Sequence, residues 1–251
     1  MSSTKKSGAI RTIKVRRSSD WPRDVSGELR FKYRYPHKLP IEEAGEKYVL
    51  RYRRSRWRRF LDGTGRVRQR EFFCWITKSG RDIGMFEFAL FASDDFIENE
   101  ELLDNMDSGS ASTYDVGVLL TNAWTDVASE VLCYGPALEF RLAWMVPNAR
   151  APGIWITASK ALADAEARNC SIWVMKAFPL EYVKPRPDEP PLPRGADSGM
   201  RRRRAAMIRY YGRVFGVTPF PGAPGRKGWL WRARPNIVDL IPTPRASKIS
   251  P

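Results

Sequence analysis

Apolar and polar positions alternate along the chain in two periods, one suited to strands and one to helices. Glu71 to Thr77 and Ile83 to Phe91 are β-rich runs joined by Lys78-Ser-Gly-Arg81, which predicts an antiparallel hairpin. Asp94 to Asp107 is acidic and predicts a loop or a frayed helix. Tyr114 to Trp124 sets Val116, Leu119, Leu120, Ala123 and Trp124 at helical spacing. Ala137 to Val146 reads as a strand ended by Pro147, Thr157 to Asn169 as an Ala-rich helix, and Cys170 to Phe178 as a buried strand. A strand-helix-strand connection of this length favours a right-handed parallel crossover, so the two strands should lie parallel in one sheet. Met200 to Val214 predicts a helix with Met207, Ile208, Tyr211 and Val214 on one stripe, and Gly228-Trp-Leu-Trp-Arg232 a last strand.

Upstream the pattern is less decisive. Phe31 to Tyr35 alternates like a strand, residues 41–60 suit helix or strand equally, and Met1 to Asp20 has no periodicity. Pro185 to Gly199 is a Pro-rich spacer. The expected organisation is therefore a flexible basic arm over 1–28, a basic aromatic-rich region over 29–70, an α/β domain over 71–235 and a Pro-rich basic tail over 236–251.

Charge sharpens this division. The net formal charge is +15, made of +14 over residues 1–70, −10 over 71–199 and +11 over 200–251. Two basic ends around an acidic middle point to separate surfaces with separate tasks. The basic aromatic stretch could contact nucleic acid non-specifically through phosphates, or be an amphipathic element with a basic outer face. No run of 18 apolar residues occurs, so no membrane span is expected. A single His37 removes most His-based triads and multi-His metal sites, and no metal site is expected. Cys74, Cys133 and Cys170 lie far apart, which suits reduced thiols in a cytoplasmic protein.

The strand-turn-helix-strand unit carries the most specific signal. Met145-Val-Pro147 is followed by Arg150-Ala-Pro-Gly-Ile-Trp155, and Tyr210-Tyr-Gly-Arg-Val-Phe-Gly-Val217 by Trp229-Leu-Trp231. Together these resemble the GCN5-related N-acetyltransferase (GNAT) superfamily: a V-x-P strand end, the phosphate-binding turn [Q/R]-x-x-G-x-[G/A], a tyrosine near the end of the last helix, and a closing strand. The sequence departs from the pattern at Trp155, where the family has Gly or Ala, and at Pro152, which removes an N–H. Four residues rather than three separate Tyr211 from Gly216.

The resemblance implies an α/β fold, a GNAT-like mixed central sheet flanked by helices with a basic N-terminal arm. It implies acetyl-CoA as cosubstrate, held by Met145, Val146, Arg150, Ala151, Gly153, Ile154, Trp155 and Ile156, and a primary amine as acceptor. It implies Glu139, eleven positions before Arg150, as the base acting through water, and Tyr211 as the acid at the leaving sulfur. Each has an alternative: Glu139 as a cross-strand partner of an arginine, Tyr211 as a core aromatic on its stripe. A second function stands beside acetyl transfer, a catalytically silent domain of this fold that binds nucleic acid or ribonucleoprotein through residues 1–70 and Arg201 to Arg204. That arginine run could instead pair with Asp94, Asp95 or Glu98.

Overall fold

The computed structural model describes residues 36–60, 65–108, 111–124, 128–146, 153–178, 196–235, 238–241 and 243–244. Two hairpins begin the sheet: β1 (His37–Glu43) with β2 (Glu46–Arg54), and β4 (Val67–Lys78) with β5 (Arg81–Ser93). Each turn has two residues at positive φ, Ala44 and Gly45 in the first, Ser79 and Gly80 in the second. That conformation matches the twist of the flanking strands, which is why glycine stands second in both. Short β3 (Arg58–Arg59) pairs with β4. Three helices follow, α1 (Asn99–Asp107), α2 (Ala111–Ala123) and α3 (Ala128–Cys133), then β6 (Ala137–Met145), α4 (Ile154–Glu166) and β7 (Ile172–Lys176). The chain continues through α5 (Ala196–Phe215), β8 (Thr218–Pro219), α6 (Gly222–Arg226) and β9 (Trp229–Ala233).

Among the described residues these strands make one mixed, mostly antiparallel sheet in the order β1-β2-β4-β5-β6-β7-β9-β8. Only β6 and β7 run parallel, as the helical crossover between them requires. Residues 41–60, which suit either helix or strand as a sequence, are largely strand, and β1 and β2 belong to the same sheet as the hairpin that starts in β4. The acidic stretch after β5 resolves into a nine-residue helix.

Alternating side chains build a core on each face. On one, Phe72, Cys74 and Ile76 of β4, Phe86, Phe88 and Leu90 of β5 and Leu138 of β6 meet Ile154, Ala158 and Leu162 of α4 and Phe215 of α5. Phe72 and Phe88 stack at 4.3 Å between ring centroids. On the other, Ala89, Phe91, Ile172 and Val174 meet Leu102, Met106, Val116, Leu120 and Leu132 of α1 to α3. No helix among the described residues is long and apolar enough to cross a membrane.

The charge blocks partly neutralise each other. Arg51 pairs with Asp82, Arg54 with Glu166, Arg66 with Glu101, and both Arg59 and Arg68 with Asp94. Asp94 is thus held by arginines of β3 and β4. Exposed pairs of this kind contribute little stability, but they explain why an acidic segment follows a basic hairpin.

Candidate active site

Three features meet around β6. The first is the end of its pairing with β7. The parallel ladder covers Ala137 to Phe140 against Ile172 to Met175, while β6 runs on to Met145. At this point β6 carries a bulge: Phe88 pairs with Phe140 and Glu87 with Leu142, so Arg141 is the extra residue. A bulge bends and twists its strand, and β7 ends one residue beyond the ladder, at Lys176, so from Arg141 to Met145 the β7-side edge of β6 is an opening among the described strands. Beyond it Met145 pairs with Gly84 and the Val146 N–H donates to the Ile83 carbonyl, so the V-x-P end stays tied to β5.

Aromatic rings fill the face of this opening toward α4 and α5. Phe140 lies 5.4 Å from Trp173 and 5.5 Å from Phe215 between ring centroids. Trp155 packs on Phe215 at 5.3 Å and edge-on to Tyr211 at 5.7 Å, so its ring points to α5. Burial, with a smaller effect of Tyr210, pushes the Tyr211 hydroxyl up to about 12. It therefore keeps its proton at neutral pH, as a donor to a thiolate must. Both readings of Tyr211, stripe aromatic and proton donor, fit this position.

The second feature is the start of α4. Gly153 precedes the helix at φ 101°, a conformation that favours glycine, and its carbonyl accepts from the Ile156 and Thr157 N–H groups. Ile154 and Ile156 are buried and anchor this end in the core. Glu43 of β1 lies over the turn: the Thr157 hydroxyl donates to its Oε2 at 2.5 Å, and a Cβ on Gly153 would lie 2.5 Å from its Oε1. A helix N-terminus favours negative charge, and here the chain's own carboxylate supplies it. The turn therefore already faces a carboxylate, and Glu43 is the group that any incoming anion would meet. Arg150 and Ala151 of the predicted turn, and Pro147 and Pro152, lie outside the described residues.

The third feature is a carboxylate network across the bulge, on the face of α1 to α3. Arg141 donates from Nε to Glu139 and from Nη1 to Glu71, both at 2.8 Å, and Gln69 donates to the same Glu71 oxygen at 2.9 Å. Glu139 is 3% exposed and pairs with an arginine two positions along its own strand rather than with a cross-strand one. Burial lowers the tendency of Arg141 to hold its proton, but Glu139 and Glu71 outweigh it and the guanidinium is held above its ordinary value.

Glu87 of β5, opposite Leu142, is the residue that sequence reasoning missed. Burial pushes its carboxyl up to about 7, against a lowering by Arg141 and a further rise from Glu71. The balance follows from stoichiometry: one guanidinium already serves two carboxylates, and a third must be desolvated without a matching partner. Glu87 Oε1 and Arg141 Nη2 are buried without hydrogen-bond partners. The one charged side chain in the apolar run from Ile83 to Phe91 was the signal.

Cys170 is buried, accepts from the Trp173 indole N–H at 2.8 Å, and has its thiol pushed up by burial, so it is a packing residue. Arg201 to Arg204 lie on α5, with Arg204 against the Phe178 ring and the Arg226 carbonyl.

The fold is mixed α/β, with a large mostly antiparallel sheet flanked by helices. No protein-family model matches the chain, and no curated protein matches it. Among solved structures it is similar to the apo form of an agmatine N-acetyltransferase point mutant. That likeness has 9% identity over 65% of this chain and 76% of the other, with a TM-score of 0.34.

Proposed function

We propose that the protein is an acyl-CoA-dependent N-acyltransferase, with acetyl-CoA as acyl donor and a primary amine as acceptor. The observation that carries this reading is the end of the β6–β7 ladder at the Arg141 bulge, with an anion-holding helix start on one side and a carboxylate network on the other. In such a site the amine nitrogen attacks the thioester carbonyl carbon, the N–C bond forms and the C–S bond breaks. A carboxylate at the network takes the amine proton, and Tyr211 protonates the departing sulfur. Gly153, Ile154, Trp155 and Ile156, with Arg150 and Ala151 before them, would receive the pyrophosphate, and Met145 and Val146 would flank the acyl arm. Cytoplasmic location fits three thiols of which none is bonded to another.

The test is ligand-induced stabilisation. A ligand that binds the native state at 100 times its dissociation constant adds about 2.7 kcal/mol. Acetyl-CoA should raise the melting temperature, and thiol release in the presence of primary amines should follow. No shift at millimolar acetyl-CoA would refute the reading.

One observation favours a second reading, a catalytically silent domain. Glu43 holds the helix start and Trp155 fills the opening, while Arg56, between β2 and β3, and Arg58 of β3 face solvent and could meet phosphates. Selective binding of one nucleic acid at about 0.15 M salt, without acetyl-CoA binding, would establish it.

A further inference from the structure

The acyl-transfer reading needs a base, and the network offers three carboxylates. Glu139 lies in the paired half of β6, opposite Val174 and Ala89, among the residues that α1 to α3 cover. Its Oε2 accepts from Arg141, and Glu71 accepts from Arg141 and Gln69. Both are committed to holding the guanidinium. Glu87 differs in place and in bonding: it lies opposite Leu142, past the bulge and past Phe140, the last residue that β6 pairs with β7, and its Oε1 accepts no hydrogen bond.

We propose that Glu87 is the residue that takes the proton of the acceptor amine, with Arg141 as the positioning residue that Glu71 and Glu139 hold in place. This rests on the acyl-transfer reading. In the balanced step the amine nitrogen gives a proton to Glu87 Oε1 as it bonds to the carbonyl carbon. The C–S electron pair goes to sulfur, which takes the Tyr211 proton; Glu87 then releases its proton to solvent and Tyr211 recovers one. The charged groups facing Glu87 are Arg141 on β6 and Glu71 on β4, with Glu139 beyond Arg141. Burial raises its carboxyl to about 7, so near neutral pH it is ionised often enough to accept a proton and basic enough to hold one.

Two measurements test this. In protein labelled with carbon-13 at glutamate carboxyls, one resonance should titrate near pH 7 and vanish in Glu87→Gln, without any ligand. With acetyl-CoA and a primary amine, kcat/KM should rise with pH along a limb near 7. Glu87→Gln should lose that limb and 100-fold or more of the rate, the usual size for a base. Glu87→Asp, which keeps a carboxylate on a shorter arm, should recover part of both, and a retained melting transition shows that each variant folds. Acetyl-CoA turnover that is unchanged in Glu87→Gln, or a Glu87 resonance titrating near 4.5, overturns this assignment alone. No acetyl-CoA binding by the wild type overturns the acyl-transfer reading, and the proton transfer with it.

Discussion

Replacing Glu87 by Gln should stabilise the protein at high pH and leave it unchanged at low pH. The carboxyl sits at about 7 in the folded chain against an ordinary 4.5, because burial disfavours its charge. Below 4.5 both folded and unfolded chains hold the proton, and the group costs nothing. Between 4.5 and 7 only the folded chain holds it, so stability falls by about 1.4 kcal/mol per pH unit. Above 7 the loss is complete at about 3 kcal/mol. Gln has the same shape and no charge, so the variant escapes this loss. For a chain of this size 1 kcal/mol moves the melting temperature by about 2–4 °C. The variant should therefore melt about 6–12 °C higher than wild type at pH 8.5 and at the same temperature at pH 4. Urea unfolding followed by tryptophan fluorescence at pH 4, 6, 7 and 8.5 gives the same comparison in free energy. Parallel stability curves across that range, or a larger gap at the acid end, would refute the account of the network.

Glu43→Gln removes the charge at the α4 start and should tighten acetyl-CoA binding about tenfold, measured by calorimetry; equal affinity would mean that Glu43 does not meet the ligand. Gly153→Ala forces a side chain to φ 101° and should cost about 1–3 kcal/mol in urea unfolding, with a cost near zero arguing against that backbone. Phe88→Ala empties a fully buried position stacked on Phe72 and should cost about 3–5 kcal/mol, a drop that calorimetric melting will show. Tyr211→Phe keeps the ring against Trp155 and removes the hydroxyl, so it should lower turnover about 100-fold while changing the melting temperature little.

β4, β5, α2, β6, α4, β7, α5 and β9 were legible because they bury apolar side chains, the central strands on both faces and the helices along one stripe. Near-continuous apolar runs over 71–77 and 83–91 are what burial on both faces imposes, and the 3-4 spacing over 114–124 and 200–214 what burial along one stripe imposes. Ser79-Gly80 announced its turn, whereas Ala44-Gly45 did not, since alanine rarely adopts φ 52°. That silence, with lysines and arginines on the outer positions of β1 and β2, left residues 41–60 undecided between helix and strand. The acidic residues of 94–107 left loop and frayed helix both open, and the helix over 99–107 is the outcome, with ion pairs such as Glu101 with Arg66. The site was legible in part. Trp155, next to Gly153 at the start of α4, does meet Tyr211, whereas Glu139 lies in the paired half of β6 on the opposite face of the sheet. Glu43 and Glu87 were not found, because one reaches the turn from a hairpin 110 positions away in sequence and the other is marked only by its partners across the sheet.

The contact between Glu43 and α4 bears on how the departures from the acetyltransferase pattern should be weighed. Trp155 and Pro152 stand where a close approach of phosphate would favour a small residue and a free N–H, and either alone suggests a lost site. Yet a degenerate helix start has no need of an anion, and this one holds a carboxylate that donor Thr157 and the left-handed Gly153 accommodate. Trp155 does not cross the turn but lies on Phe215 and Tyr211, so its bulk closes the opening between β6 and β7 rather than the anion seat. The two obstacles are thus separate and of different kinds. A carboxylate on a flexible arm can be exchanged for a phosphate with little change in the charge at the helix start. An indole packed on two aromatic rings must change rotamer, which costs buried area and edge contacts. The Trp155 ring, more than Glu43, therefore limits entry of an acyl arm, and Trp155→Ala should tighten acetyl-CoA binding by more than Glu43→Gln does.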